Sequence, residues 1–128
     1  GETDGYARIP LDELLPQVDV LSLHCLLTDE TRNLIGAREL QMMKPDALLI
    51  NTSRGGLVDE EALAHALRNG VIGGAGFDVL TEEPPKNGNP LLGDDIPNLI
   101  ITPHSAWASR EARQRIVDIT AQNLASIL

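Results

Sequence analysis

Four short apolar segments, separated by segments with helical periodicity, constrain the fold of this chain more than any other feature. Within each segment apolar residues follow one another almost without interruption, whereas a strand with one face in solvent would alternate apolar and polar residues. Continuous apolar runs are typical of strands buried on both faces, as in a parallel sheet covered by helices. We therefore predict four buried parallel strands, at Asp19–Cys25, Ala47–Asn51, Val71–Leu80 and Asn98–Thr102.

The segments between these runs carry helix signals. The clearest is Asp59–Asn69, where Asp59 is a suitable N-cap, two glutamates follow at the positive end of the helix dipole, and a glycine stands at the end. Further helices are predicted at Gly36–Met43 and at Ser109–Leu128, with a short helical turn over residues 11–18. The last of the long helices has apolar residues along one face and arginines on the other. This alternation of helices and strands predicts an α/β fold, in which right-handed crossovers connect the strands of a parallel sheet.

Net charge and cysteine content exclude several classes of partner. The chain carries ten Lys and Arg against nineteen Asp and Glu, a net charge of −9, whereas nucleic acids and anionic membranes are bound by clustered basic residues. Cys25 is the only cysteine, which excludes an intrachain disulfide and a multi-cysteine metal site and suits a reducing compartment. No segment resembles a signal peptide or a membrane span. We expect a cytoplasmic protein with a small-molecule ligand, no metal site, and no nucleic-acid or membrane partner.

Polar and charged residues collect directly after the predicted strands. The first strand is followed by LLTDET, the second by TSRGG, the third by TEEPP and the fourth by PHS. Strands of a parallel sheet end at one edge, about 4.8 Å apart, and open α/β folds bind ligands in the crevice outside that edge. These four segments are therefore predicted to surround one small ligand.

Arg54 and His104 are the main candidates within these segments. Arg54 lies between hydroxyl residues and two glycines that allow the backbone to approach a ligand closely, so a bidentate clamp on a carboxylate is predicted. The alternative is an ordinary solvent-exposed loop arginine. His104 follows Pro103, whose fixed φ stiffens the end of the strand. Because an unperturbed imidazole has a pKa of about 6.5, a histidine here can exchange a proton near neutral pH. The alternative is a histidine that only caps or bridges loops.

Acidic residues and two further histidines complete the candidate set. A carboxylate of Glu82 or Glu83 held against an imidazole would fix its tautomer, although loop acids beside prolines are more often simply solvated. Asp78 ends an apolar strand, so it is either a desolvated liability or a ligand contact, such as a hydrogen bond to a nicotinamide amide or ribose. His24, within a strand, is predicted to lie in the core, and His65 is predicted to face solvent.

The glycines of the third strand do not form a dinucleotide-binding loop. Gly73, Gly74 and Gly76 lie inside a strand pattern rather than at a strand-to-helix turn, so we assign them a packing role. No GxGxxG motif occurs anywhere in the chain. If a dinucleotide binds, its pyrophosphate loop is missing from this sequence.

Four sequence blocks resemble those of the D-isomer-specific 2-hydroxyacid dehydrogenases. They are DVLSLHCLLTDETRNLIG, NTSRGGLVDEEAL, GGAGFDVLTEEPP and TPHSAWAS, in the order of the family. The HSAW form is nearest to the branch of glycerate dehydrogenases and hydroxypyruvate or glyoxylate reductases. The resemblance implies a Rossmann-like doubly wound parallel sheet in a three-layer αβα arrangement, with NAD or NADP as cofactor. It also implies hydride transfer between NAD(P)H and a small D-2-hydroxy acid or 2-oxo acid, such as glycerate, hydroxypyruvate or glyoxylate.

The resemblance further implies roles for individual residues. Arg54 would bind the substrate carboxylate and carbonyl oxygen, His104 would be the acid/base, and Glu83 would orient and charge His104. Asp78 would contact the nicotinamide side. Leucine at position 26 departs from the proline usual in the family, which removes stiffness from that loop. The implied cofactor contacts are Leu26, Thr28, Thr52, Ser53, Arg54, Asp78, His104, Ser105 and Ala106.

The sequence lacks the substrate domain of the family and its glycine-rich first βαβ unit. We therefore expect residues 1–128 to be the carboxyl-terminal part of a NAD(P)-binding Rossmann domain, which alone binds cofactor poorly and does not turn over. We expect the full-length protein to be a homodimer. The complete Arg, Glu and His set favours catalysis over a dinucleotide-sensing, corepressor-like binding protein. A phosphoglycerate dehydrogenase and an isolated folding unit without ligand are further alternatives. Trp107 lines the substrate pocket or lies in a core or subunit interface.

Overall fold

The secondary structure follows the predicted alternation of helices and strands. The structure is a computed structural model that describes residues 8–127, so expectations for residues 1–7 and for Leu128 lie outside the described part. Every predicted strand and helix is present, which confirms the α/β class. The elements are α1 (Leu11–Leu14), β1 (Val20–Leu23), α2 (Ala37–Met42), β2 (Leu48–Asn51), α3 (Glu60–Arg68), β3 (Gly74–Phe77), β4 (Leu99–Ile101) and α4 (Arg110–Ala125), with short 3-10 turns at Gly55–Leu57 and Pro90–Leu92.

The four strands are parallel and lie across the sheet in the order β1-β2-β3-β4. Their register places Leu23, Asn51, Phe77 and Ile101, the last residue of each strand, in one row. The loops that follow the strands therefore begin side by side at a single edge of the sheet. This confirms the predicted convergence of the polar segments at the level of the backbone.

Helices α2 and α3 lie on one face of this sheet and close the core. Each strand is added on the same side of its predecessor, so right-handed crossovers bring successive helices to the same face. Leu21, Leu49 and Phe77 contribute the sheet side of the core, and Leu40 and Leu63 contribute the helix side. All five are at most 7% exposed.

The opposite face of the sheet is open in the described residues, which corrects the prediction that the strands are buried on both faces. Val20 and Ile100 are 54% and 70% exposed, and burial alternates along β1 and β2. The apolar runs are continuous because the open face carries apolar residues too, but no second helix layer covers them within residues 8–127. The described residues thus form two of the three expected layers. His24 is also exposed, with Nε2 2.8 Å from Ser22 Oγ, and is not the core residue we predicted.

Helix α3 forms with the predicted cap and buried face. Asp59 Oδ1 accepts the backbone N–H of Ala62 at 3.0 Å, which satisfies one of the free donors in the first helical turn. Leu63 and Leu67 are buried against the sheet, whereas His65 is exposed, as predicted. The helix is therefore packed against the sheet through its buried face.

Helix α4 forms as predicted, but its apolar face is not packed. Ser109 Oγ caps the helix by accepting the N–H of Ala112 at 3.1 Å. Ile116, Ile119 and Leu124, on the predicted apolar face, are 49% to 59% exposed. None of the helices described here combines the length and apolar character needed to cross a membrane.

Candidate active site at the carboxyl edge of the sheet

A histidine and a glutamate are in direct contact at the carboxyl edge of the sheet. Nδ1 of His104 lies 2.6 Å from Oε2 of Glu83, and the two side chains are 43% and 34% exposed. The second carboxylate oxygen, Oε1, accepts the backbone N–H of Leu80 at 2.7 Å. Glu83 is therefore held from two sides.

The ionisation of Glu83 determines which nitrogen of His104 is available for chemistry. Partial burial acts to raise the pKa of Glu83, but the hydrogen bonds with His104 and the Leu80 N–H outweigh burial and hold the pKa below its usual range. An ionised carboxylate only accepts hydrogen bonds, so Nδ1 of His104 carries the proton between the two groups. This leaves Nε2 of His104 as the nitrogen that can exchange a proton with a ligand.

The backbone of His104 is held in an unusual conformation. Its φ is 52°, in the left-handed region, which costs a residue with a side chain about 1–2 kcal/mol. The N–H of His104 donates to the Thr102 carbonyl at 3.0 Å, and Trp107 Nε1 donates to the His104 carbonyl at 2.8 Å. Strained backbone of this kind is concentrated at functional sites. Trp107 is 54% exposed, so it is not a core residue of the described chain.

Asp78 holds the loop that carries His104. The residue is only 3% exposed. Oδ1 accepts the hydroxyl of Thr102 at 2.5 Å and the N–H of Ser105 at 2.8 Å, and Oδ2 accepts the N–H of Ala106 at 2.8 Å. Burial acts to raise the pKa of Asp78, but these three hydrogen bonds, with the nearby His104, hold it below its usual range. Asp78 therefore stabilises the loop, while its contact with a nicotinamide stays a prediction.

The turn that carries Arg54 is built on a buried asparagine that was not among the predicted site residues. Asn51 is fully buried; its Oδ1 accepts the Ser53 N–H at 3.0 Å and its Nδ2 donates to the Arg54 carbonyl at 2.9 Å. The signal that could have found it is the one used for Asp78, a polar residue that ends an apolar strand. The Arg54 side chain is exposed, and Nη1 donates to the Ser53 carbonyl at 2.7 Å. Within residues 8–127, no hydrogen bond or ion pair connects Arg54 to Glu83 or His104.

Gly55 brings the loop of Arg54 against the loop of Glu83. A Cβ on Gly55 would lie 2.0 Å from the carbonyl carbon of Leu80 and 2.2 Å from the amide nitrogen of Thr81. Gly55 itself is buried. We expected the glycines after Arg54 to let the backbone approach a ligand, but Gly55 instead allows close approach of the protein's own chain. The loops after β2 and β3 are therefore in van der Waals contact.

Two concave surfaces lie beside these groups. A pocket of about 460 Å³ is lined by Glu83, His104 and apolar neighbours that include Leu92 and Ile101. A smaller cleft of about 190 Å³, at the ends of β2 and β3, is lined by Thr52, Gly76, Phe77, Asp78, Thr102 and Ala106, among others. The structure thus brings the predicted residues of the second, third and fourth loops to one edge.

The predicted residues of the first loop lie farther along that edge. Ser53 Oγ donates to the Cys25 carbonyl at 3.0 Å, which joins the loops after β1 and β2. Leu26 is 82% exposed, and the Thr28 hydroxyl lies 3.2 Å from the Thr31 hydroxyl within a local turn. Since β2 separates β1 from β3, Leu26 and Thr28 stand on the far side of the Arg54 turn from His104.

A family profile and individual known proteins match the part of the chain that contains these residues. The profile of one family, described as "D-isomer specific 2-hydroxyacid dehydrogenase, NAD binding domain", matches residues 2–106. The glycerate dehydrogenase of Methylorubrum extorquens is 57% identical over 116 residues, which are 91% of this chain and 37% of that protein.

Solved structures match over almost the whole chain. An acyclic imino acid reductase in complex with NADPH and D-Arg gives a TM-score of 0.86 at 38% identity, over 99% of this chain and 40% of that one. A D-isomer specific 2-hydroxyacid dehydrogenase of Lactobacillus delbrueckii ssp. bulgaricus, in its NAD-complexed form, gives a TM-score of 0.78 at 38% identity, over 93% and 40%. The chain spans 37% to 40% of the length of these proteins.

Proposed function

Because the chain belongs to the D-isomer specific 2-hydroxyacid dehydrogenase family, we propose that it carries the catalytic residues of such an enzyme. Residues 1–128 would be the carboxyl-terminal part of its NAD(P)-binding domain. The enzyme transfers hydride between NAD(P)H and a small D-2-hydroxy acid or 2-oxo acid. The contact of His104 Nδ1 with Glu83 Oε2 at 2.6 Å carries this proposal, because a domain that only binds a dinucleotide needs no histidine held in a strained conformation against a carboxylate.

His104 acts as the acid/base in this proposal. When a 2-oxo acid is reduced, its carbonyl oxygen gains negative charge, and a proton from Nε2 of His104 neutralises that charge. Glu83 holds the ring in place and stabilises the imidazolium, since its pKa is below the usual range and it remains ionised. In the oxidation direction Nε2 accepts the hydroxyl proton of the 2-hydroxy acid.

Arg54 binds the carboxylate of the substrate and polarises its carbonyl group. Its guanidinium is exposed, and only Nη1 takes part in a hydrogen bond within the described chain, to Ser53. The remaining N–H donors suit a bidentate contact with a carboxylate, for which a planar guanidinium is better matched than an ammonium group. The fixed positive charge also stabilises the developing alkoxide.

The residues at this edge fit a nicotinamide cofactor. The cleft at the ends of β2 and β3 is lined by Gly76, which has no side chain to obstruct a flat ring, and by Thr52, whose hydroxyl group can form hydrogen bonds. We assign cofactor contacts to Thr52, Ser53, Ser105 and Ala106 near the reacting groups and to Leu26 and Thr28 farther along the edge. When bound, NAD or NADP supplies or accepts the hydride.

Substrate and assembly follow from the same reasoning. A small acidic substrate, such as hydroxypyruvate, glycerate or glyoxylate, matches a site with one arginine and one acid/base. The net charge of −9 argues against nucleic-acid and anionic-membrane partners. From the resemblance to the family we propose that the full-length protein is a cytoplasmic homodimer, and sedimentation analysis tests the homodimer.

The test uses the full-length protein with hydroxypyruvate or glyoxylate and NADH or NADPH. His104→Gln should lower kcat for reduction by about 100 to 10,000-fold, the usual contribution of proton transfer, while the Kd for the cofactor stays unchanged. His65→Gln is the matched control, because His65 is exposed on α3. An unchanged rate with His104→Gln, or equal losses in both variants, would refute the role of His104.

A further inference from the structure

The long loop between β3 and β4, residues 78–98, is anchored to helix α3 at two points. Hereafter it is called the β3–β4 loop. It carries Glu83, and its 3-10 turn at Pro90–Leu92 packs on α3, with Leu91 2% exposed. One anchor lies at the first residue of α3 and the other at its last residue, so their effects on Glu83 can be separated.

Glu60 forms the first anchor with both of its carboxylate oxygens. Oε1 accepts the backbone N–H of Thr81 at 2.8 Å, and Oε2 accepts from Asn89 Nδ2 at 2.8 Å. The side chain of Glu60 is partly buried. Thr81 directly follows Leu80, whose N–H donates to Glu83. The first anchor thus fixes the backbone beside the group that orients Glu83.

Arg68 forms the second anchor at the other end of α3. Its Nε and Nη2 donate to the two oxygens of Asp95 at 2.7 and 3.0 Å. Asp95 lies near the end of the β3–β4 loop, far along the chain from Glu83. The two anchors therefore hold the same loop to the same helix, but only the first is adjacent to the site.

We propose that Glu60 is a positioning residue for Glu83 and, through Glu83, for His104. This inference rests on the proposed function, since it assigns a purpose to the placement of Glu83. A general effect of negative charge at the start of a helix does not explain Glu60, because Glu61 supplies the same charge in the same turn and is exposed. What distinguishes Glu60 is that each of its oxygens accepts a hydrogen bond from the β3–β4 loop.

Amide hydrogen exchange in the full-length protein tests the positioning directly. Glu60→Met keeps the length of the side chain and removes both acceptor oxygens, so both contacts with the β3–β4 loop are lost. We expect exchange at Thr81, and at Leu80 next to it, to become about tenfold faster or more. Glu61→Met and Asp95→Asn are the matched controls, and both should leave these two amides within about twofold of the unsubstituted protein. Unchanged exchange at Leu80 in Glu60→Met would overturn the proposal.

Kinetics of the full-length enzyme test the consequence for catalysis. Glu60→Met should lower kcat for 2-oxo acid reduction about tenfold, because a misplaced Glu83 holds the ring of His104 less firmly. KM for the cofactor should not change, and the two control variants should keep the original kcat. A purely structural Glu60 would lower stability without lowering kcat at a temperature where the variant is folded, and that result contradicts the inference. If the unsubstituted enzyme reduces no 2-oxo acid, the proposed function is refuted, and the exchange at Leu80 alone then decides whether Glu60 positions Glu83.

Discussion

Replacing Asp78 with asparagine tests whether the loop of His104 is held by a buried carboxylate. Asp78 is 3% exposed, and its carboxylate accepts hydrogen bonds from Thr102, Ser105 and Ala106. Asparagine has the same shape but only one acceptor oxygen. Whichever way the amide is oriented, its NH₂ group faces at least one backbone N–H, and that donor loses its partner.

The expected loss of stability follows from the number of bonds broken. A hydrogen bond to a charged group contributes about 1.5–3 kcal/mol, and a buried donor without a partner costs about 1–3 kcal/mol. These two contributions describe overlapping effects, so we expect the free energy of unfolding to fall by about 2–4 kcal/mol. For a domain of this length such a loss lowers Tm by roughly 8–15 °C.

The effect of Asp78→Asn should depend on pH. Because the folded-state pKa of Asp78 lies below its value in the unfolded chain, about 3.9, the carboxylate contributes its full stability above that value. The contribution is lost as pH falls through the lower folded-state pKa. The difference between variant and unsubstituted chain should therefore be largest at about pH 7 and should shrink towards about pH 3.

Urea denaturation of the 128-residue chain, followed by circular dichroism at several pH values, measures both quantities. Asp94→Asn is the matched control, because Asp94 is an exposed loop residue with no hydrogen bond in the described chain. The control should change the free energy of unfolding by less than about 0.5 kcal/mol. A similarly small change for Asp78→Asn at neutral pH, or a difference that does not vary with pH, would refute the reasoning.

Two further substitutions test the turn after β2. Gly55→Ala should destabilise the chain by about 3 kcal/mol or more, because its Cβ would overlap the Leu80 backbone. Gly56→Ala should cost less, because its Cβ would meet only the flexible side chains of Leu27, at 3.1 Å, and Arg32, at 3.4 Å. Equal Tm values for the two variants would contradict this. Arg54→Lys in the full-length enzyme should lower kcat/KM for the 2-oxo acid by about 10 to 100-fold, mainly through KM, because an ammonium group cannot make the bidentate contact. An unchanged kcat/KM in steady-state kinetics would contradict the role of Arg54 in binding the substrate carboxylate.

The fold could be predicted because its signals are local in the sequence. The cap at Asp59 and the short apolar runs each depend on residues within one element, and all were found in the structure. The open face of the sheet could not be predicted. A continuous apolar run shows that both faces of a strand are apolar, but it does not show whether another segment covers each face. Val20 and Ile100 lie on the open face and are exposed, because no segment of the described residues covers them.

The candidate site could be predicted because the ends of the strands could be located in the sequence. The rule that ligands bind at the carboxyl edge of a parallel sheet pointed to Arg54, Asp78 and His104. Sequence alone did not decide whether Glu82 or Glu83 in the third loop orients His104, and the resemblance assigned this role to Glu83. In the structure Glu83 contacts His104, whereas the carboxylate of Glu82 lies 3.3 Å from Asn87 Nδ2.

Contacts between loops cannot be predicted from sequence patterns. From the sequence, Glu60 is an ordinary acidic residue in the first turn of a helix, and Gly55 is predicted to be a flexible residue beside a ligand. Their actual contacts, with Thr81, Asn89 and Leu80, join residues more than twenty positions apart and depend on the register of the sheet. A single sequence contains no signal for such pairs.

These contacts form a continuous series along the carboxyl edge. Ser53 joins the loop after β2 to the loop after β1 through the Cys25 carbonyl, Gly55 joins it to the loop after β3 by close packing, and Asp78 joins that loop to the loop of His104 by three hydrogen bonds. Because each loop is held by its neighbour as well as by the helices, we expect a change at one loop to displace the next. Arg54 and His104, which share no hydrogen bond in the described chain, are thereby placed relative to each other through Gly55 and Asp78. The spacing of the proposed substrate clamp and the acid/base is thus set by the packing of the protein itself.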